Sequence, residues 1–306
     1  MISQAQINYI LALNEYKNFQ KAANVCFVTQ PTLSMQIKKA EESFGEVIFD
    51  RDVSPLSLTD FGKTILPYLH NIMDSYEALE VLYKKRLGTY KAEIRLGIIP
   101  TIADYLVPQL YKDWQNKLAG VKLSILELKT EQIINKLVDR KIDMGIMAGP
   151  LENPTIESQV LFNEAILIYA PNYKKNEIQL AELEEMHPWL LSEGNCLRTQ
   201  MINFCNLNEK PQSEWSYEGG SLSLIVQMVQ QEGGYTLIPE NYLQLLDLPQ
   251  SHYKKIVNHT PGRQIIAVFG SRNSKKEQLK NIIREIQRLK GKSSLDIKRV
   301  EILPWR

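Results

Sequence analysis

Two cysteines, Cys196 and Cys205, stand nine positions apart in the segment LSEGNCLRTQMINFC. A cysteine pair can perform redox chemistry when one thiol ionises near neutral pH and the second condenses with the oxidised first. Cys196 precedes a predicted short helix over residues 197–206 and stands two positions before the cation Arg198, and both features lower the pKa of a thiol. Peroxide would oxidise such a thiolate to sulfenic acid, and Cys205 would then form a disulfide with it.

The spacing of the pair limits how that disulfide could form. Nine residues of one straight helix rise about 13 Å, at about 1.5 Å per residue. A disulfide needs Cα atoms within about 7 Å, so the bond would require this segment to unwind. The alternative is two incidental buried cysteines, which is also how we interpret Cys26, and the spacing alone favours that alternative.

The composition sets the class of protein. A chain of 306 residues has room for two or three domains, and 44% hydrophobic with 23% charged residues is typical of a soluble globular protein. There is no run of about 18 apolar residues for a membrane span, and no basic leader for secretion. With three cysteines, the chain is expected in the reducing cytoplasm, without a membrane partner. Its four histidines lack metal-ligand spacing with a cysteine, so we expect neither a metal nor a cofactor.

From residue 91 onward, predicted strands and helices alternate, which favours a parallel sheet covered by helices on both faces. The pattern restarts after about residue 161, so we expect two α/β lobes with a cleft between them. Lobe I would comprise 91–161 and 269–306, and lobe II 162–268. The strands predicted in the second half are 165–170, 189–192, 216–218, 235–239 and 264–269.

Three hydroxyl residues, Thr101, Thr130 and Ser221, each open a predicted helix after a strand or loop. Alone, each is a plain helix cap. If the fold brings them to one level, their hydroxyls and the nearby amides could instead converge on a polar ligand at the carboxyl ends of the strands.

Residues 59–87 are expected to form one long linker helix that dimerises. Its apolar side chains recur at steps of four, three, four, three and four, at Ile65, Leu69, Ile72, Tyr76, Leu79 and Tyr83. This heptad spacing is typical of a helix that pairs with a second copy or with a neighbour. The alternative is an amphipathic helix that faces the core of its own domain. Pro67 is expected to bend the helix near its start.

Residues 1–58 are predicted to form short helices joined by tight turns, the plan of a helix-turn-helix that reads the major groove of DNA. At the front of the second helix, Gln30, Thr32 and Ser34 can hydrogen-bond base edges or phosphates. Pro31 can touch a thymine methyl, and Lys38 can reach a phosphate. Residues 1–90 carry nine basic and ten acidic side chains, so the arrangement of residues, and not the charge, indicates DNA binding.

The string AANVCFVTQPTLSMQIKKAEESFGEVIFDR, followed by LTDFG, resembles the N-terminal signature of LysR-type transcriptional regulators. The resemblance implies a winged helix-turn-helix in which Met35 and Arg51 also serve DNA binding, although Met35 stands where many members carry arginine. It implies a dimer through the linker helix, often paired into a homotetramer. Residues 91–306 would be a two-lobed α/β effector domain of the periplasmic-binding-protein type. The partners would be a double-stranded DNA operator and RNA polymerase.

The pattern Gly-x-Cys-Leu-Arg-x-Gln, followed by Phe-Cys, is similar to the redox motif of the peroxide-sensing members of that family. The resemblance implies that Cys196 is the peroxidatic residue and Cys205 the resolving one, with Arg198 beside them. Asn195 takes the place where many of these members carry histidine. An amide can donate a hydrogen bond but cannot become cationic, so the pocket chemistry is expected to differ there.

The same resemblance implies that Thr101 and Thr130 line the peroxide pocket and that Arg263 is the cation near the reactive thiol. The sequence thus predicts a transcription factor, not an enzyme, that changes the transcription of oxidative-stress genes in response to hydrogen peroxide. The main alternative is a regulator of the same family that binds a small-molecule metabolite between its lobes. A thiol peroxidase would leave residues 1–86 without a purpose, and a solute-binding protein would need a signal peptide.

Overall fold

The computed structural model describes residues 1–88, 91–117, 121–207, 219–271, 273–291 and 300–304. The chain forms two compact units, and the second begins at Lys91. Each unit has its own hydrophobic core. Among the described helices, none combines the length and the hydropathy that a membrane crossing requires.

Three short helices begin the first unit: α1 Gln4–Tyr16, α2 Phe19–Val25 and α3 Gln30–Phe44. Each starts at a polar N-cap whose side-chain oxygen accepts a backbone N–H of the first turn. Gly45 ends α3 with a left-handed φ of 73°, which glycine adopts without strain. Ala22 is fully buried in α2, where its small side chain lets the neighbouring helices approach closely.

A two-stranded wing follows α3. Its strands, β1 Phe49–Asp50 and β2 Ser57–Leu58, pair antiparallel. Glu41, buried in α3, accepts a hydrogen bond from the backbone N–H of Ile48 at 2.9 Å and one from the Arg51 guanidinium at 2.8 Å. One carboxylate therefore attaches the wing to the second helix of the helix-turn-helix.

The linker helix, α4 Asp60–Arg86, contains Pro67 and lies in two different environments along its length. Near its start, Leu69 is 3% exposed and packs into the core of the first unit. Towards its end, large apolar side chains are exposed, with Leu79 66% exposed. The exposed set is Ile72, Tyr76, Leu79, Leu82 and Tyr83. The core-facing interpretation of the heptad spacing thus applies to the first half of the helix, and pairing with a second copy stays a prediction for the exposed second half.

The second unit is built on a mixed sheet. Its strands are β3 Ala92–Ile98, β4 Val121–Glu127, β5 Met144–Ala148, β6 Ile156–Tyr169, β7 Glu177–Ile178, β8 Thr236–Pro239, β9 Tyr253–Ile256, β10 Pro261–Gly270 and β11 Glu301–Ile302. Together they form a nine-stranded sheet. Its main order is β4-β3-β5-β10-β6-β9-β7, with β11 paired to β10 and β8 paired to β6. β3 is parallel to β4 and β5, as the sequence predicts for the first lobe.

The prediction of a wholly parallel sheet is wrong. β10 pairs antiparallel with both β5 and β6. β6 is 14 residues long and begins at Ile156, well before the predicted start at residue 165. Its first half was missed because Ser158 and Gln159 are exposed and interrupt the apolar pattern. β6 pairs with β10 along this half and with β8 and β9 at its end, so it runs from one lobe into the other.

Two other predicted strands have different outcomes. Residues 189–192 are not a strand; the preceding Pro188 makes only an isolated bridge to Tyr235. Residues 216–218 lie outside the described residues. Strands β7, β9 and β11 are short and were not predicted.

The helices of the second unit follow the strands of the sheet. They are α5 Pro100–Lys117, α6 Thr130–Val138, α7 Leu180–Leu183, α8 Cys196–Phe204, α9 Leu222–Glu232 and α10 Lys276–Lys290, with 3-10 turns at Glu240–Leu245 and Gln250–His252. α5 and α6 begin just after the carboxyl ends of the parallel strands β3 and β4. Their first turns therefore lie at the edge of the sheet where α/β proteins hold their ligands.

Candidate functional site

Cys196 is the first residue of α8, and its thiol lies at the N-terminal end of the helix. The residue is 4% exposed. Burial is the largest influence and raises the pKa of the thiol, while the Arg263 guanidinium and the backbone N–H groups of Cys196 and Leu197 lower it. The thiol thus stands in a dry site that contains groups able to stabilise a thiolate when one forms.

Burial raises the pKa of the Cys196 thiol overall, and it outweighs the lowering by the start of the helix that the sequence predicts. The cation that acts on the thiol is Arg263. Arg198, two positions along the helix, instead donates a hydrogen bond from Nη1 to the backbone oxygen of Leu191 at 2.8 Å. Proximity in the sequence did not place Arg198 at the thiol, because successive residues of a helix point in different directions.

Arg263 is fully buried in β10, and each of its three side-chain nitrogens donates a hydrogen bond. Nε donates to Glu164 Oε1 at 2.7 Å, Nη1 to the Thr101 hydroxyl at 2.8 Å and Nη2 to the Thr101 backbone oxygen at 3.0 Å. Since the Thr101 hydroxyl accepts from Arg263, its own proton points away from the guanidinium and can be donated to another group. The structure thus joins Cys196, Thr101 and Arg263 from three distant parts of the chain.

Thr130 and Asn195 are the other two predicted pocket residues, and both are buried. The Thr130 hydroxyl has no hydrogen-bond partner within the described part of the chain. Asn195 donates from Nδ2 to the Ser192 backbone oxygen at 2.9 Å and to its hydroxyl at 3.0 Å. Next to Thr130, Lys129 donates to the backbone oxygen of Glu193 at 2.7 Å, which brings the start of α6 against the loop that leads into α8.

Sequence reasoning missed the groups behind Arg263. The Glu164 carboxylate accepts hydrogen bonds from the Tyr105 hydroxyl at 2.9 Å and from Asn241 Nδ2 at 2.8 Å, in addition to the one from Arg263. Lys290 Nζ donates to Asn241 Oδ1 at 3.2 Å. A signal was present at one of them, because Glu164 is a charged residue inside the apolar run LFNEAILIY.

Cys205 lies at the opposite end of α8, where its backbone N–H is donated to the oxygen of Met201 at 3.0 Å. It is buried, and neither it nor Cys196 is part of a disulfide in the described structure. Tyr235 is its polar neighbour; burial and the Cys205 thiol raise the pKa of that phenol. Because α8 separates the two cysteines, their Cα atoms are about 13 Å apart along the helix axis.

The residues predicted to read DNA lie at the front of α3. Gln30, Pro31, Met35 and Lys38 are exposed, whereas Thr32 and Ser34 are half-buried. Thr32 shares a hydrogen bond of 2.8 Å with the Thr29 cap. The exposed members can therefore contact a partner directly, and the half-buried ones only through part of their side chains.

Two further residues add to this surface. Arg51 is bound to Glu41 and lies 5.6 Å from the centre of the Phe19 ring, so its position in the wing is fixed. Phe27 is 94% exposed in the turn between α2 and α3, with a left-handed φ of 55°. The sequence carries no clear signal for this exposure, because Phe27 is flanked by Cys26 and Val28 in an apolar turn.

Comparison with known proteins identifies the family. Residues 5–63 match the bacterial regulatory helix-turn-helix protein model of the lysR family, and residues 88–290 match the LysR substrate binding domain. The chain belongs to the LysR family. It is therefore a DNA-binding transcriptional regulator and not an enzyme.

Relatives within the family differ in what they are named for. The HTH-type transcriptional regulator EstR of Acinetobacter baylyi is 28% identical over 241 residues, 78% of this chain and 80% of EstR. The hydrogen peroxide-inducible genes activator of Pectobacterium carotovorum is 27% identical over 292 residues, 91% of this chain and 95% of the relative.

A solved structure agrees with the fold of this LysR-family chain. Full-length OxyR from Pseudomonas aeruginosa superposes with a TM-score of 0.75 at 24% identity, covering 94% of this chain and 95% of that one. The likeness extends over both units of the fold.

Proposed function

We propose that this LysR-family regulator senses hydrogen peroxide through oxidation of Cys196. The observation that carries the proposal is the thiol at the start of α8, buried beside Arg263, whose guanidinium is held by Glu164 and Thr101. A buried cation and helix N–H groups are what a thiolate needs to exist out of water. The Pectobacterium relative, named for hydrogen peroxide, supports the assignment.

The proposed reaction uses both cysteines. The Cys196 thiolate attacks one oxygen of hydrogen peroxide, the O–O bond breaks, and the departing oxygen leaves as water after taking up a proton. Cys196 is then a sulfenic acid, and the Cys205 thiol displaces its hydroxyl as a second water. Two thiols lose two electrons in forming the disulfide, and one peroxide is reduced to two waters.

The pocket residues have separate roles in this proposal. The Thr101 hydroxyl, which accepts from Arg263, donates its proton to the bound peroxide, and the Thr130 hydroxyl is a second group for the same ligand. Asn195 holds the loop before α8 through Ser192 and does not supply charge. Arg198 supports the same loop through Leu191.

Disulfide formation would change the structure of α8. The cysteines must move from about 13 Å to within about 7 Å of each other, which a helix cannot allow. Oxidation would therefore unwind α8, and the resulting change in the effector unit is the signal passed to the DNA-binding unit.

The DNA-binding unit would act as part of a dimer. We assign residues 1–58 to DNA binding, 59–87 to dimerisation and 91–306 to sensing. Gln30, Pro31, Thr32, Ser34 and Met35 would face the bases of an operator, and Lys38 and Arg51 its phosphates. The exposed apolar seam of α4 would pair with a second copy, and two dimers would form a tetramer that acts with RNA polymerase in the cytoplasm.

Thiol titration with peptide mapping, before and after stoichiometric peroxide, tests the proposed function. We expect three free thiols in the reduced protein and one, Cys26, in the oxidised protein, with a Cys196–Cys205 peptide on non-reducing maps. If both cysteines stay free under a modest excess of peroxide, peroxide sensing is wrong. The second candidate would then be a metabolite regulator, which the buried Thr130 hydroxyl favours, because it has no hydrogen-bond partner in the described part of the chain and could bind another polar ligand.

A further inference from the structure

A buried chain of hydrogen bonds leads from Arg263 away from the thiol to helix α10. Glu164 accepts from Arg263, Tyr105 and Asn241, and Asn241 in turn accepts from Lys290. All five residues are buried, and Lys290 is 3% exposed. Buried charges are costly, so a carboxylate and two cations in one apolar core need a reason.

The donors and acceptors fix the direction of each bond in this hydrogen-bond chain. A lysine ammonium can only donate, so Asn241 must turn its oxygen towards Lys290 and its amide N–H towards Glu164. Glu164 then accepts on both carboxylate oxygens and cannot turn away from Arg263. With Nε held by Glu164, both Nη groups of Arg263 face Thr101.

The charged groups in the hydrogen-bond chain also affect the ionisation of Cys196. A carboxylate at 2.7 Å cancels much of the field that Arg263 exerts on Cys196. Lys290 supplies a second cation in the same core, 4.5 Å from the centre of the Tyr105 ring and 5.7 Å from that of Phe162. Aromatic faces and an amide oxygen stabilise an ammonium in such a place.

Tyr105 and Glu240 are further titratable groups whose charges are coupled to that of Glu164. Burial and Glu164 raise the pKa of Tyr105 well above its usual range, so the phenol stays neutral. Burial raises the pKa of Glu240, which is half-buried and outside the hydrogen-bond chain. Burial lowers the pKa of Lys290 and Glu164 opposes that effect. Within the hydrogen-bond chain itself, two cations and one carboxylate leave one positive charge for the thiolate.

We propose that Glu164 and Lys290 are positioning residues for the reaction of Cys196. Glu164 orients Arg263, and Lys290, acting through Asn241, offsets the charge of Glu164 so that Arg263 remains an effective cation. The inference rests on the proposed peroxide-sensing function, because it concerns the same thiol. It assigns a function to helix α10, which contributes no residue to the cysteine motif.

The test measures the thiolate of Cys196 directly. In full-length protein carrying Cys26→Ser and Cys205→Ser, the pH dependence of alkylation by iodoacetamide reports the ionisation of the one remaining thiol. Lys290→Met should lower the thiolate fraction at neutral pH about tenfold. Glu164→Gln should raise it, because the glutamine amide oxygen can still accept from Arg263 and hold its orientation while the negative charge is lost. The double variant restores the net charge and should return to within about threefold of the background.

Opposite changes of the thiolate fraction in the two single variants distinguish charge balance from structural damage. If Glu164→Gln and Lys290→Met both lower the thiolate fraction, or if the double variant falls below Lys290→Met, the inference is wrong. Lys290→Gln provides a second neutral variant should the methionine variant not fold, and Lys290→Arg should preserve the background value. Peroxide oxidation of the same proteins, followed by mass, is a separate readout. Failure there with the alkylation series as expected would reject peroxide sensing and leave the charge balance standing.

Discussion

Helices α3 and α8 both begin with the residues assigned to function, but their first turns lie in opposite environments. At the start of α3, Gln30 and Pro31 are exposed. At the start of α8, Cys196 is buried against Arg263. A helix that enters a DNA groove must present its front to a large partner, whereas a buried front keeps its reactive group away from large molecules.

This difference has an energetic consequence. A substitution at an exposed front removes a contact with the partner and leaves the fold almost unchanged. A substitution at a buried front also removes hydrogen bonds from former partners, as Asn195→Ala would remove those that the Ser192 backbone oxygen and hydroxyl accept from Nδ2, and this costs stability. Variants in the two helices should therefore be separable by whether they change binding, chemistry or folding.

The largest effect is expected at the two ends of α8. Cys196→Ser should abolish the transcriptional response to peroxide, because a hydroxyl cannot form a sulfenic acid. Cys205→Ser should leave Cys196 oxidisable but unresolved, so that intact-protein mass increases by one or more oxygens. At matched peroxide, Cys196→Ser should gain none at this site.

Operator binding by the reduced forms of both serine variants is the control and should match that of the reduced wild type. Loss of oxidation in Cys205→Ser as well would mean that the two cysteines do not have distinct roles, and the contrast between the ends of α8 would fail.

The next largest effect concerns α4. Leu79→Asp with Tyr83→Asp should convert the protein to monomers, because both side chains are exposed in the single subunit and would meet a partner helix. Leu69 is unsuitable for this test because it is buried in its own subunit. Sedimentation measures the change, and Ala78→Asp, on another face of the helix, should leave the dimer intact. An unchanged dimer in the double variant would place the interface elsewhere.

A smaller effect is expected at Arg263. Arg263→Ala should slow the oxidation of Cys196 about tenfold to a hundredfold at neutral pH, since its guanidinium lowers the pKa of a thiol that burial raises. Wild-type oxidation should accelerate as pH rises towards that pKa, and the deficit of the variant should shrink at still higher pH. Stopped-flow thiol consumption gives both profiles.

Arg198→Ala is the matched control for Arg263→Ala, because Arg198 is bound to a backbone oxygen and not to the thiol. Its rate should stay within about threefold of wild type. A larger loss in Arg198→Ala than in Arg263→Ala would show that the wrong cation has been assigned to Cys196.

The smallest effect is expected at the exposed front of α3. Gln30→Ala or Ser34→Ala should cost about 1–3 kcal/mol of discrimination between operator and unrelated DNA if either makes a direct base contact. Thermal unfolding and the thiol chemistry should stay unchanged. Ser43→Ala, at the far end of the same helix, should not alter operator affinity. Equal affinity in all three variants would remove these two residues from the readout.

Features of the fold that depend on neighbouring residues are predictable from the sequence, whereas pairings between distant residues are not. The caps Thr29 and Thr59 and the stop at Gly45 act within one turn, so the sequence located α3 and α4 closely. The antiparallel pairing of β10 with β6 joins residues about a hundred positions apart, and no local pattern specifies it.

The candidate site shows the same limit. The resemblance to a family supplied Cys196 and Arg263, but the pKa of the thiol depends on burial, which a motif does not report. Lys290 and Asn241 each look like ordinary polar residues of a helix or turn. Only the folded sheet places them behind Glu164.

On the proposed mechanism, the length of α8 also makes two reactions of the sulfenic acid compete, namely disulfide formation and further oxidation. After the first oxidation, Cys205 can reach the sulfenic acid only when the helix opens, a first-order event with its own rate constant. A second peroxide molecule competes for the same sulfenic acid at a rate proportional to its concentration. Below the crossover concentration the regulator cycles reversibly; above it Cys196 is over-oxidised and lost. The stability of a nine-residue helix thus defines the upper end of the sensor's working range.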